Sequence, residues 1–346
     1  MLQAVRPIEP VADTLDSALI DLARYGPEMT NGFTTHAPMV AEALDVLGRG
    51  DAIADWIERH RAMMMLWPDE RGPILDWRAA LGRAERVSDW RALFRGELTE
   101  RHWPEVLARW VPRLAPGASA AALHGLIRVG HAARALSRAE TQPRLDELAS
   151  ALASWASEYS ELQVASSLGA PQSAAETALS RLPFLPADRR RNGGSIVAAL
   201  QALDEHPPFA RAFHWPAIED AEASARELAD LFARIFLANV DSPLHAIVFT
   251  HAITGTAAVM HLLPLVREAE GGALVRHVWH AGCGLYAAYG TRPPASAPEG
   301  SLPRDLIDRA VANGDDHVIK LTEAVLALEL EPALAGAVSE RAMAYL

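Results

Sequence analysis

The sequence predicts an all-α protein. Apolar residues recur three and four positions apart through almost the whole chain, the stripe by which a helix faces a core. Alternating β-branched residues, the mark of a half-buried strand, are nearly absent. Proline and glycine collect in short stretches between the periodic runs and so punctuate helices rather than break them. The 346 residues read as one large multi-helix domain over 1–346 with a buried centre, a common size for a single helical core.

Helical periodicity covers, in order, Asp13 to Arg24, Met39 to Leu47, Asp51 to Met65, Trp90 to Trp110, Ala118 to Ser137 and Leu145 to Leu168. It resumes over Ser195 to Leu203, Ala221 to Val240, Pro243 to Val266, Ala273 to Tyr289, Arg304 to Ala312 and Asp315 to Glu331. Pro112 to Gly117, Leu182 to Gly194 and Thr291 to Pro303 separate them, the last being the most linker-like. No fixed repeat period argues for a solenoid. Six tryptophans (Trp56, Trp67, Trp77, Trp90, Trp103 and Trp110) lie in the first third, a density that braces a core. Ser242 to Val266 carries no Asp, Glu, Lys or Arg and is long enough to cross a bilayer. It also holds His245, His251 and His261 with several threonines, which lipid would penalise, so a buried central helix is expected. The first residues form no signal-peptide apolar run, and a cytoplasmic protein without membrane association is expected.

A net charge of −12 argues against binding to nucleic acid. One cysteine, Cys283, excludes an intrachain disulfide framework and a CxxC metal site. There is no GxGxxG after a strand, no GxxxxGK[ST], no HExxH and no GxSxG. Nor is there a Glu-x-x-His or a His-x-Asp/Glu pair, which removes the ferritin-like and compact facial-triad signatures. The Arg189-Arg190-Arg191-Asn192-Gly193-Gly194 run reads as a solvated loop, with the holding of a cofactor phosphate as the lesser alternative.

What remains is histidine, thirteen of them. His36 stands just before a helix. His124 and His131 are seven apart on one helix face with Arg128 between them. His251 lies in the charge-free segment. His277 and His280 are three apart, as are His317 and Lys320, so each pair can converge on one point. Imidazole suits iron, zinc, copper and nickel, and an imidazole left unpartnered in apolar surroundings is costly. Of 32 basic residues only Lys320 is lysine. A buried lysine with a depressed pKa is a free amine that can take up CO2 as an anionic carbamate, an oxygen ligand on a long stem. On an exposed face it would instead pair with Asp316 or Glu323.

His36-Ala37-Pro38-Met39 with Leu47-Gly48, His124-Gly125-Leu126-Ile127-Arg128 with Gly130-His131-Ala132, His251-Ala252-Ile253-Thr254-Gly255 and His317-Val318-Ile319-Lys320 together resemble the questin oxidase-like family, in the same order, from about Tyr25 to Leu328. The family is all-α, and its fungal members open anthraquinone rings and were first treated as Baeyer–Villiger-type, NADPH-dependent oxidases. The resemblance implies a mononuclear non-haem Fe(II) held by His36, His124, His251, His317 and a CO2-derived carbamate on Lys320, with O2 and an aromatic small molecule as partners. No motif here supports NADPH. Asn commonly precedes the first histidine in the family, where Thr35 stands here. Fungal members carry a second His and a Tyr where this chain has Arg128 and His131, which points to a differently lined pocket. Arg128 and His131 are the candidate catalytic residues, each suited to orienting a phenolate or carboxylate. His277 with His280 is the rival ligand pair and His261 a weaker candidate. The resulting expectation is a metal-dependent oxygenase. Its alternatives are a zinc hydrolase on the same scaffold and a non-enzymatic helical scaffold, and an Ala-rich helical surface suits a homodimer.

Overall fold

The computed structural model describes residues 13–162, 174–190 and 195–346. Among them, seventeen α-helices and a single two-stranded sheet make one helical domain, as the periodicity predicts. The opening residues Met1 to Arg6, the end of the Leu145 to Leu168 run and Arg191 to Gly194 lie outside the described residues.

Four helices frame the centre: Ala37–Val46, His124–Arg138, Pro243–Leu262 and Asp316–Ala327. Pro243–Leu262 is the charge-free segment. Ser242 caps it by accepting from the His245 amide, with Pro243 in the first turn where its missing N–H costs nothing. The helix is long and apolar enough to cross a membrane, but it is mostly buried inside the fold. Around it pack His124–Arg138, Ala221–Asn239, Glu268–Tyr289 and Asp316–Ala327, the arrangement expected of a helix apolar on every side. Trp90, Phe94 and Trp110 brace the main core edge to face, with ring centroids 5.0 Å apart for Phe94–Trp110 and 5.7 Å for Trp90–Trp110. Trp56 belongs to a smaller cluster with Leu15, Leu44, Ile57 and Ile319, which ties the first helices to the last quarter of the chain.

Two of the framing helices cross almost backbone to backbone. A Cβ on Gly130 would stand 2.6 Å from the Ala258 Cβ and 2.7 Å from its Cα, atoms that cannot rotate away. Gly130→Ala is therefore expected to cost about 1–3 kcal/mol through overpacking, read as a lower midpoint in urea. An unchanged midpoint would mean that the crossing yields.

Several elements differ from the periodic runs. Ala118 to Ser137 is not one helix. Ala121, Ala122 and Leu123 take left-handed φ values of 45°, 57° and 67°, and the α-helix starts only at His124. Left-handed backbone costs roughly 1–2 kcal/mol per non-glycine residue. The turn is held by Leu123, which is wholly buried, its side chain filling the space that Gly255 leaves by lacking a Cβ. Trp90 to Trp110 is two helices, Val87–Glu100 and Trp103–Leu114, because Pro104 suits a first turn and not an interior. Asp51 to Met65 ends as a helix at His60, and Met64–Leu66 pairs antiparallel with Tyr25–Met29. That sheet is too short for alternation to register in the sequence.

Candidate metal centre

Each framing helix brings one histidine to the centre. His36 is the residue before Ala37–Val46, and His124 opens its helix. His251 sits two turns into the charge-free helix. His317 lies in the first turn of Asp316–Ala327, where Asp315 caps by accepting from the amides of His317 at 2.8 Å and Val318 at 3.3 Å. The Nε2 atoms of His36 and His251 approach the His124 Nε2 to 2.7 Å and 3.0 Å. The His317 ring centroid stands 4.8 Å from that of His36 and 5.4 Å from that of His251. His36, His251 and His317 are buried, and His124 alone of the four keeps partial exposure.

The outer nitrogens decide which way the lone pairs point. The His251 Nδ1 donates to the Ile247 carbonyl at 2.7 Å, leaving Nε2 unprotonated and turned inward. Asp316 spans two rings, 2.9 Å from the His36 Nδ1 and 2.5 Å from the His317 Nδ1, with Asp315 3.5 Å from the latter. These are close charge contacts without the alignment of a hydrogen bond. Burial pushes His36 down to about 4. Burial, and then the neighbouring imidazoles, push His124 and His251 well below the usual range. Burial opposes charge on His317 too, but Asp316 and Asp315 outweigh it and raise that residue. Burial also works against the Asp316 carboxylate, yet His36 and His317 hold it well below its ordinary value.

Imidazole nitrogens at this range repel unless a shared proton or a cation lies between them, and one N–H on the His124 Nε2 can serve only one of its two neighbours. Metal–nitrogen bonds of about 2.1 Å put neighbouring ligand nitrogens about 3.0 Å apart at right angles and about 3.4 Å apart in a tetrahedron. The separations of 2.7 Å and 3.0 Å match the right-angled case better. The donor set of His36, His124 and His251, with His36, Asp316 and His317 as an overlapping group, fits a divalent cation.

Lys320 is one turn beyond His317 and only 1% exposed. No carboxylate among the described residues is within ion-pair reach of its amine, and Glu323 is taken by Arg134. The exposed ion pair with Asp316 or Glu323 is thus not what the fold provides. Burial pushes the amine down to about 8, against the pull of Asp316 and Asp315. Its charge is felt by all four imidazoles.

The other candidates lie elsewhere. Arg128 is held by Glu147 through Nε at 2.6 Å and Nη2 at 2.9 Å. The His131 Nδ1 meets the Glu42 carboxylate at 2.7 Å. Arg134 joins that carboxylate through Nε at 2.8 Å, reaches Glu323, and donates to the His261 Nε2 at 3.1 Å. His261 is therefore a member of this second polar layer. His277 and His280 lie against Trp215 at 6.2 Å and 5.6 Å, and Phe213 is 4.5 Å from His280. Among the described residues neither belongs to a group able to hold a metal. Arg190 donates to the Leu185 and Gly290 carbonyls and braces a loop. Sequence reasoning passed over Asp316 as a site residue, although its place directly before His317 was the available signal. It also passed over Glu42 and Arg134, which no motif marks.

The family model described as questin oxidase-like matches residues 68–325. The match takes in His124, His251, His317 and Lys320, while His36 precedes it. No curated protein matches the chain. With about three quarters of its length inside the match and its central histidines on the helices described above, the chain belongs to the questin oxidase-like family, which places it among oxidoreductases.

Proposed function

We propose that the chain is a metal-dependent oxygenase, with mononuclear non-haem iron as the metal, acting on an aromatic or quinoid small molecule by oxidative ring cleavage or a Baeyer–Villiger-type oxidation. The convergence of the His36, His124 and His251 Nε2 atoms carries this reading. His36, His124, His251 and His317 would hold the metal, with Lys320 as its carbamate completing the set. A bound iron would supply a redox-active Lewis acid at which O2 can be used.

The remaining roles fall to the chain. Asp316 and the Ile247 carbonyl hold the Nδ1 side of three imidazoles, so that Nε2 stays the ligand atom. Burial of the His36, His251 and His317 side chains keeps bulk water from the centre. Lysine is required at 320 because a guanidinium stays protonated and forms no carbamate.

Metal analysis of protein purified without a tag after iron supplementation tests the reading. About one iron per chain is expected, together with oxygen uptake on a hydroxyanthraquinone. Less than about a tenth of a metal per chain would sink it. Full zinc occupancy without oxygen uptake would replace it with hydrolysis.

A further inference from the structure

One arginine joins every helix that brings a histidine to the centre. Arg134 lies in His124–Arg138, ten residues after His124. Its Nε donates to the Glu42 Oε1 at 2.8 Å and its Nη2 to the other oxygen of that carboxylate, on the Ala37–Val46 helix that His36 precedes. Its Nη1 donates to Glu323 on Asp316–Ala327, the helix of His317 and Lys320. The same Nη1 donates at 3.1 Å to the Nε2 of His261 on Pro243–Leu262, the helix of His251. Four of the five guanidinium N–H groups are thus engaged, on three helices besides its own.

The charge states suit this arrangement. Burial and the Arg134 charge push His261 down to about 3, so the ring is neutral and its Nε2 can accept. Burial works against charge on Glu42, but Arg134 and His131 outweigh it and keep the carboxylate ionised. The contacts also lie at one level of the bundle. Glu42 is six residues after His36 and Glu323 six after His317, about 9 Å along each helix at 1.5 Å per residue. Gly130 and Ala258, where two framing helices meet almost backbone to backbone, are six and seven residues beyond His124 and His251. Backbone contact therefore fixes two of the four helices against each other at that level, and the guanidinium ties the other two to them. A planar fork fixes direction as well as distance, so a helix that slides or turns there must break an aligned N–H bond.

We infer that Arg134 is a positioning residue of the metal centre: its fork sets the register of the helices bearing His36, His124, His251 and His317, and with it the spacing of their ring nitrogens. The inference deepens the oxygenase reading and rests on it for the identity of the ligands. Charge alone does not supply this role. A lysine would keep a cation between Glu42 and Glu323, but its three donors radiate from one point and do not reproduce the fork.

Cobalt(II) binding to the full chain in bicarbonate buffer tests this. Its visible bands follow coordination geometry, and its affinity is read by competition with a chelator. The wild type should bind about one cobalt per chain. Arg134→Lys should bind it about 10–100-fold more weakly, with the bands altered in position and intensity. Phe94→Leu, on a helix that packs chiefly against Gln142–Ser157, is the control for lost stability. Its midpoint in urea should fall while its cobalt affinity and bands stay those of the wild type. Should Arg134→Lys fail to fold, Glu323→Leu leaves Arg134 balanced by Glu42 and cuts only the arm to Asp316–Ala327. It should weaken binding and alter the bands likewise. Wild-type bands in the variant that folds, at whatever affinity, or altered bands in Phe94→Leu, would overturn the inference and leave the metal reading standing. A wild type that takes up no cobalt would overturn both.

Discussion

Lys320→Ala is expected to strip the protein of its metal while leaving the helical fold in place. The amine lies in the same buried centre as the four imidazoles and has no carboxylate of the described residues within ion-pair reach. Its removal breaks no ion pair, takes away the proposed ligand stem and leaves a cavity in the core. Plasma emission analysis should find retention falling from about one metal per chain to below about a tenth, with the far-ultraviolet dichroism unchanged. Lys320→Arg separates charge from chemistry, since it keeps the cation and cannot carry a carbamate; it should lose metal equally. Acetate or propionate, diffusing into the space of the missing side chain, should restore part of the metal in Lys320→Ala. Full metal in that variant would refute the carbamate.

The second large effect lies one layer away. Arg134→Leu removes the cation between Glu42 and Glu323 and leaves two buried carboxylates, each 3% exposed at the side chain, without it. Breaking a buried pair in this way costs about 3–5 kcal/mol, which urea denaturation at neutral pH should read directly. Burial alone would raise Glu42, but Arg134 and His131 bring it down to about 2 from 4.5. The folded state therefore binds fewer protons than the unfolded chain between those values. Glu42 stabilises the fold fully above 4.5, and its contribution is lost as the pH falls towards 2. In Arg134→Leu that acid-side slope should flatten. Glu42→Gln with Glu323→Gln in the same variant should recover a large part of the loss, because neutral amides do not need the missing cation. No recovery would mean that Arg134 acts by shape rather than charge.

Periodicity was enough for the class of fold and for most helices, since helix formation with one apolar face is a local property of three- and four-residue spacing. It failed where tertiary contact outweighed local pattern. Nothing in Ala120-Ala121-Ala122-Leu123, four good helix formers, announces a left-handed turn. The reason lies at Gly255, more than a hundred residues away, where the Leu123 side chain finds its space. The site shows the same division. Each histidine can be read as a buried imidazole from its apolar neighbours, and the order of four short motifs points to a family. The roles of Asp316, Glu42 and Arg134 depend on which helix faces which, and a single sequence does not contain that. The tryptophans behaved as ordinary core, as their density suggested.

The imidazoles that meet at the centre come from far apart in the chain. His36 and His124 are separated by 88 positions, and His124 and His251 by 127. A cation held there would therefore be a clasp. It closes two long loops at a single point, as a pair of crosslinks would, and closure entropy grows with the length of chain enclosed. Unlike a disulfide, the clasp needs no oxidising compartment, suits a chain with one cysteine, and comes undone whenever any one of its segments leaves. Metal content would then report on the folding of the whole chain as much as on its chemistry.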